Sequence, residues 1–407
     1  MSDDFWSEPE GVRIQWRRGW LRARRLRIDG EPEQKGRRGA THRITRAQIA
    51  LLDQMTTFRQ FPLTGPVALD VCFVSGRSQP PGVHRLAKHL LDVLGALRTR
   101  GHTCGRHHAL YRDDRQVKLL HVHLSSRHPA ADASASPCTH VTARPLRDVV
   151  DDLRRFSSVH DDARCDDDSP DCPVHSPPIP EPETHPAFDP CHAESPEQAE
   201  RRRELNDWLA SYNRGCLQQA LLARSDARLT LMFTQWPHWI SGARPPGRPL
   251  ADDPRLLAIH EQLDRSRERS RMMLLSEPFT FTLPVLPQTR GDGVNFGRAI
   301  GQAVDELTAR YPILTSMQTP VKVILLVVPP SQGKDLDNVA LAVMPAVRQA
   351  VAPGEISSYE VIELARTPGD PPEGLLRLAF GDGLNPQSTW ERATDYIEEH
   401  MDSDDHW

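Results

Sequence analysis

The strongest constraint on the fold is an order of strand-like and helix-like segments that occurs twice in the 407-residue sequence. In residues 11–156 the order is a strand or hairpin at 12–28, a helix at 45–58, a strand at 67–74, a helix at 83–97, a strand at 116–124 and a helix at 145–156. In residues 278–383 it is a strand at 279–285, a helix at 297–311, a strand at 321–328, a helix at 338–351 and a strand at 359–366. Repetition of this kind indicates an internal duplication. We therefore predict an α+β protein of two αβ units, each a mixed sheet with helices.

The segments between and after the two units have a different composition. Residues 157–196 are rich in Asp, Pro, Ser and His and lack periodicity, which predicts a disordered linker. Residues 197–277 are predicted to be a helical insert, because helical patterns begin at Ser195 and near residue 252. Residues 384–407 are assigned to a C-terminal tail.

Composition narrows the class of protein. No apolar run has the length of a membrane span and the N-terminus is polar, so we expect a cytoplasmic protein with no membrane partner. Seven cysteines at irregular spacings do not form a disulfide framework. The net charge is −5, yet residues 11–46 are rich in Arg, which suggests a local surface that faces a polyanion.

Two pairs of aspartates lie at the ends of predicted strands. Asp335 and Asp337 follow the apolar strand 321–328 and precede a helix. Asp is a favoured helix N-cap, but capping needs only one of them. Two close carboxylates repel each other unless a cation lies between them. Asp113 and Asp114 precede the strand at 116–124, on which His121 and His123 share a face that we expect to be exposed to solvent.

These motifs resemble the RusA family of Holliday-junction resolvases. In the first unit, the opening motif is carried by Gly30, Pro32, Lys35 and Arg37, and a later Asp-Asp strand motif by Asp113 and Asp114. The helix at 83–97 keeps Leu86, Lys88, Leu91 and Asp92 of the family pattern, whereas Gly82, His84 and Arg85 replace its Asp, Asp and Asn.

The second unit departs from the family pattern at the opposite places. It supplies Asp335, Asp337 and Asn338, but Leu341 replaces the lysine and the segment 357–361 replaces the Asp-Asp motif. Its opening motif is reduced to Pro287 and Arg290. The resemblance thus extends over both units, with neither unit complete.

The resemblance implies a Mg²⁺-dependent endonuclease that hydrolyses phosphodiesters in branched or four-way junction DNA. The family acts as a symmetric dimer, so the two units are expected to form an intrachain pseudo-dimer. Three sets of residues are implied: catalytic Asp335, Asp337, Asp113, Asp114 and Lys88; metal-binding Asp335, Asp337, Asp114 and Glu355; and DNA-binding Lys35, Arg37, Arg38, Arg290 and Asn338.

Three interpretations of the incomplete units remain open. In the first, the second unit is active and Glu355 or Glu360 supplies its third carboxylate. In the second, Asp335 and Asp337 meet Asp113 and Asp114 across the two units in one composite site. In the third, both sites are inactive and the protein only binds branched DNA or a protein partner, the latter through residues 197–277.

Overall fold

The computed structural model describes residues 9–35, 40–97, 108–126, 136–165, 195–223, 230, 280–286, 293–315, 321–330, 335–351, 356–383 and 387–402. The helices among them are α1 Pro9–Leu21, α2 Ala40–Thr57, α3 Val83–Leu94, α4 Leu146–Cys165, α5 Pro196–Ala223, α6 Gly293–Arg310, α7 Leu336–Ala350 and α8 Thr389–Asp402. The strands are β1 Arg24–Asp29, β2 Val67–Ser75, β3 Val117–Ser126, β4 Cys138–Pro145, β5 Phe281–Leu283, β6 Val321–Val328, β7 Ile356–Glu363 and β8 Leu375–Asp382. The fold is therefore α+β.

All of these strands belong to one mixed sheet of eight strands in the order β1-β4-β2-β3-β7-β6-β8-β5. Its centre is the antiparallel pair β3 and β7, which joins the two halves of the chain. Read from either edge, the pairing pattern is the same: two antiparallel pairs are followed by a parallel pair. The register irregularities also correspond, since one lies between Val67 and Ala68 and the other between Val321 and Lys322.

Helices cover both faces of the sheet. One face packs on α2, α3, α6 and α7, and the other packs on α1, α4, α5 and α8. Strand β6 is buried along its whole length because alternate residues serve the two cores: Val323 and Leu325 face the first, Ile324 and Leu326 the second. A continuous apolar run is typical of a strand covered on both sides.

The prediction of a strand or hairpin at 12–28 is wrong for its first part, where α1 forms. The segment contains Val12, Ile14 and Trp16, which alternate as in a strand, and Trp16 and Trp20, which are spaced as in a helix. Packing favours the helix. Trp16 is buried in the core that includes α4 residues, and its ring lies edge-on to Trp20 with 6.3 Å between centroids.

Strands β4 and β8 and helix α8 are absent from the predictions. Both strands carry a buried arginine that interrupts the apolar alternation: Arg144 donates to Asp152 at 2.6 Å, and Arg377 donates to Thr280 at 3.0 Å. Helix α4 continues to Cys165, beyond the predicted boundary at 156, and α8 lies within the predicted tail. Residues 166–194 of the predicted linker and the helix at 252–273 lie outside the described residues, whereas the last linker residue begins α5.

Among the described residues, no helix combines the length and the hydropathy needed to cross a bilayer.

Candidate metal centre

Asp335 occupies the N-cap position of α7 but does not cap it with its side chain. Its backbone is extended, with φ −75° and ψ 128°, and its side chain accepts no capping hydrogen bond. The carboxylate instead accepts from Asn338 Nδ2 at 2.9 Å and from Arg115 Nε at 3.3 Å. Arg115 belongs to the other half of the chain. The side chain therefore points towards a junction between the halves.

Asp113 is the N-cap of a short 3₁₀ turn, Asp114–Gln116, that precedes β3. The Asp113 carboxylate accepts from the backbone N–H of Arg115 at 3.0 Å, and the Gln116 side chain accepts from the backbone N–H of Asp113 at 3.0 Å. This reciprocal pair is a capping box, which fixes the turn. Asp114 is left to face the neighbouring helices.

The fold brings the two aspartate motifs together. Strands β3 and β7 pair at the centre of the sheet, and α3 packs against α7 over them. As a result, Asp113, Asp114 and Asp335 each offer a carboxylate oxygen, and these three atoms lie within 4.8 Å of one another. We call these three residues the carboxylate cluster. Within the described part of the chain it is the one group of this kind.

Lys88 of α3 connects the cluster to Asp337. Its Nζ donates to Asp337 Oδ2 at 2.6 Å and lies 3.8 Å from Asp114 Oδ2. Asp337 is buried, and its Oδ1 has no hydrogen-bond partner among the described residues. Asp337, which was predicted as a metal ligand, thus pairs with Lys88, and Asp113 takes its place in the carboxylate cluster.

Burial and like charge set the protonation of the centre. Burial, followed by the charges of Asp335 and Asp337, raises the pKa of Asp114 to about 6. Burial also raises the pKa of Asp337, although Lys88 opposes this. The backbone N–H of Arg115 lowers the pKa of Asp113. For Lys88, burial acts against the charged form, but the bond to Asp337 outweighs it and the pKa is raised.

The donor set fits a hard divalent cation. Carboxylate oxygens are the ligands that Mg²⁺ prefers, and the ion needs only a few because it retains waters. The carboxylates here outnumber the neighbouring cations Lys88 and Arg115, so negative charge is in excess. Asp337, whose charge acts on Asp114, has one carboxylate oxygen, Oδ1, that lacks a hydrogen-bond partner within the described ranges.

The other predicted site residues divide into three groups. Lys35 donates to Asp92 of α3 at 2.9 Å, and Asp92 lies one helical turn from Lys88. Asn338 contacts the cluster through Asp335. Arg37, Arg38, Arg290 and Glu355 lie outside the described residues.

Glu360 does not provide the third carboxylate proposed for the second unit. It is fully buried on the opposite face of the sheet, where it pairs with Lys322 Nζ at 2.8 Å and accepts from the backbone N–H of Thr389 at 2.7 Å. The expected solvent-exposed face of β3 is likewise wrong. His121 is fully buried on that same side, with its Nδ1 2.7 Å from Asp70 Oδ2.

The sheet register also corrects one predicted correspondence between the halves. In the two parallel pairs, Val117 of β3 pairs with Val67, and Ile356 of β7 pairs with Val321. Val67 and Val321 each directly precede a register irregularity, so Val117 and Ile356 occupy equivalent positions in the two halves. The equivalents of Asp113 and Asp114 therefore precede Ile356, in a segment outside the described residues. Ser357 and Ser358, which the prediction aligned with them, lie within β7.

Sequence reasoning missed Arg115 as a neighbour of the centre. Its side chain is largely exposed, yet it reaches Asp335 in the other half. The only sequence signal was its position directly after Asp114. Searches of protein-family models, curated proteins and solved structures each found no significant match to this chain.

Proposed function

We propose that this chain is a Mg²⁺-dependent endonuclease that hydrolyses phosphodiesters in branched DNA, with one catalytic centre built from both halves. The observation that carries the proposal is the carboxylate cluster together with Lys88. It unites the Asp-Asp motif and the lysine of the first half with the Asp-x-Asp motif of the second.

The proposal includes a RusA-like pseudo-dimer within one chain. It is supported by a strand order that reads alike from both edges of the sheet and by the packing of α3 against α7. Branched DNA as the substrate rests on the resemblance of the motifs to that family. A composite site also accounts for the reciprocal losses, because residues retained in different halves complete one set.

Asp113, Asp114 and Asp335 would hold Mg²⁺, which when bound polarises phosphoryl oxygens and acidifies water. Hydrolysis forms one bond between phosphorus and a water oxygen and breaks one bond between phosphorus and a bridging oxygen, which leaves with a proton. Lys88 offsets negative charge that develops on the phosphoryl group. Asp337 positions Lys88 through their 2.6 Å hydrogen bond.

Lys35 and the basic residues of the two opening motifs would bind the DNA backbone. Lys35 lies beside α3, and Arg37, Arg38 and Arg290 belong to the opening motifs of the two halves. Asn338 holds Asp335 and lies at the N-terminus of α7, where anions are favoured. Contacts of this type give affinity that decreases steeply with salt and little sequence preference.

The test is cleavage of a synthetic four-way junction with Mg²⁺ present or chelated. Asp114→Asn and Asp335→Asn are each expected to reduce the nicking rate about a thousandfold, which is ~4 kcal/mol in barrier. Their combination should be hardly worse than either, because the two residues act as a unit. Asp53→Asn, an exposed acid on α2, is the matched control and should nick as wild type.

The outcomes separate the alternatives. Full activity of Asp335→Asn would exclude the centre. Full activity of Asp114→Asn, with Asp335→Asn inactive, would restrict the centre to the second half. Salt-sensitive junction binding without any nicking by the wild type would favour the binding-only function.

A further inference from the structure

The first half of the chain contains a position equivalent to the start of α7. Helix α3 follows β2 as α7 follows β6, and the residues before the two helices are Gly82 and Asp335. Counted along the helices, His84 is equivalent to Asp337. Both carboxylates of the Asp-x-Asp motif are therefore missing at α3.

The guanidinium group of Arg348 fills the space beside Gly82. A Cβ atom at Gly82 would lie 2.8 Å from Nη1 of Arg348, which comes from the last turn of α7. In the carboxylate cluster the equivalent place holds the Asp335 side chain. The positive charge of Arg348 disfavours a divalent cation here.

His84 does not replace the missing ligands. It is buried with 5% exposure, and neither ring nitrogen has a hydrogen-bond partner among the described residues. Burial, followed by the charges of Arg85 and Arg348, lowers its pKa to about 4. Its surroundings therefore oppose positive charge, whether on the ring or on a bound ion.

The second position, related to the carboxylate cluster by the pseudo-symmetry of the two halves, also lacks an equivalent of Lys88. Leu341 of α7 is the equivalent of Lys88, counted from the starts of the two helices. In sequence, the segment before β7 reads Ala352, Pro353, Gly354 and Glu355, so the pair of adjacent aspartates found before β3 does not recur there.

We propose that the chain has a single catalytic centre and cuts one strand of a two-fold symmetric DNA junction in each binding event. This inference rests on the proposed function and specifies its product. Each event adds one water across one P–O bond and leaves the junction nicked but still joined. Separation of the arms then requires a second incision in a later encounter, and a nick that is not followed by one is a substrate for a ligase-type reaction.

The product distribution on a supercoiled plasmid with an extruded cruciform tests the inference. With plasmid in excess over protein and Mg²⁺ present, nicked circles should accumulate almost completely before linear plasmid appears. Linear plasmid as the first product would overturn the single-centre inference while supporting the proposed nuclease. Absence of any cutting, including on synthetic junctions, would overturn the proposed function instead.

Metal binding gives a second readout that does not depend on cutting. Mn²⁺ binding followed by electron paramagnetic resonance should lose all of its high-affinity component in the Asp114→Asn, Asp335→Asn double variant. Retention of about half of that component would reveal a second centre and overturn the inference.

Equivalent substitutions at Lys88 and Leu341 complete the test. Leu341→Met should leave the nicking rate within about twofold of wild type, whereas Lys88→Met should lower it. Equal losses in the two variants would contradict the assignment of a single centre.

Discussion

Two lysine–carboxylate ion pairs lie on opposite faces of the same sheet and differ in their access to solvent. Lys322 and Glu360 are both 0% exposed, with Nζ and Oε2 2.8 Å apart. Lys88 and Asp337 are separated by 2.6 Å, but the lysine side chain keeps 23% exposure and also faces Asp114. The first pair is closed within the core. The second opens onto a cluster of further carboxylates.

The surroundings of the two pairs show what separates a structural pair from a candidate site. Around Glu360, the Thr389 backbone and hydroxyl and the Lys322 ammonium satisfy both carboxylate oxygens. Near Asp337, negative charge exceeds positive charge and one buried oxygen lacks a partner among the described residues. Both carboxylate oxygens of Glu360 are satisfied within the core, whereas the carboxylates near Asp337 carry unmatched charge at a solvent-accessible edge.

The largest effect on stability is expected from breaking the closed pair. Lys322→Met leaves Glu360 as a buried charge without its partner, which should lower the free energy of unfolding by about 3–5 kcal/mol. Urea denaturation at pH 7 measures this change. Mn²⁺ binding by the folded variant should remain as in wild type, because the carboxylate cluster lies on the other face.

A second substitution checks that the loss comes from the unpaired charge. Lys322→Met combined with Glu360→Leu should recover most of the stability, since an apolar replacement of the whole pair is often tolerated. Lys118→Met, which breaks a more exposed pair with Glu363, should cost clearly less. If Lys118→Met and Lys322→Met lowered the free energy of unfolding equally, solvent access would not distinguish the two kinds of pair.

Breaking the open pair should affect catalysis more than stability. Lys88→Met removes the charge that, in the proposed function, offsets charge on the phosphoryl group, and should lower kcat about tenfold to a hundredfold, or ~1.4–2.7 kcal/mol in barrier. Burial already raises the pKa of Asp337, so in this variant Asp337 can take up a proton. The free energy of unfolding should therefore decrease less than it does in Lys322→Met. Single-turnover nicking and urea denaturation of one preparation measure both. A large stability loss with unchanged kcat would make Lys88 a structural residue.

The contrast between the faces also explains what the sequence could predict. Continuous apolar strands such as β6 and strongly periodic helices such as α3 were predicted nearly to their ends, because local periodicity reports burial. Strands β4 and β8 were missed because buried Arg144 and Arg377 interrupt that periodicity, and each contacts a threonine that is distant in sequence, Thr394 and Thr280 respectively. Polarity alone suggested that His121 was exposed, although its partner Asp70 lies on the neighbouring strand.

The same reasoning applies to the candidate site. The motifs at residues 113–114 and 335–337 were recognisable locally, and the composite interpretation followed from their complementary losses. Only the pairing of β3 with β7 brings carboxylate oxygens of Asp113, Asp114 and Asp335 to within 4.8 Å of one another. Arg115 and the opposite-face location of Glu360 depend on that register, so no local pattern could give them.

The smallest effect is expected from titration of buried acids on the face of the sheet that carries the Lys322–Glu360 pair. Glu391 of α8 and Asp70 share a hydrogen bond, and burial, together with neighbouring acids, raises their pKa values to about 8 and about 7. Above pH 7 the unfolded carboxyls are already ionised, so the folded state binds more protons and its stability decreases as pH rises through these values. Burial lowers the pKa of His121 and of half-buried His123, so both titrate below that range, whereas Cys72, with a pKa raised to about 12, titrates above it.

Between pH 7 and pH 8.5 we therefore expect wild type to lose about 1–2 kcal/mol of unfolding free energy. Glu391→Gln retains a hydrogen-bond donor towards Asp70 but cannot ionise, so its stability should change by less than about 0.5 kcal/mol over the same interval. Glu398→Gln, an exposed position on α8, should keep the wild-type slope. Because the carboxylate cluster lies on the other face, Glu391→Gln should bind Mn²⁺ as wild type does at both pH values. If Glu391→Gln kept the full wild-type slope, the pH dependence would not arise from the Glu391–Asp70 pair.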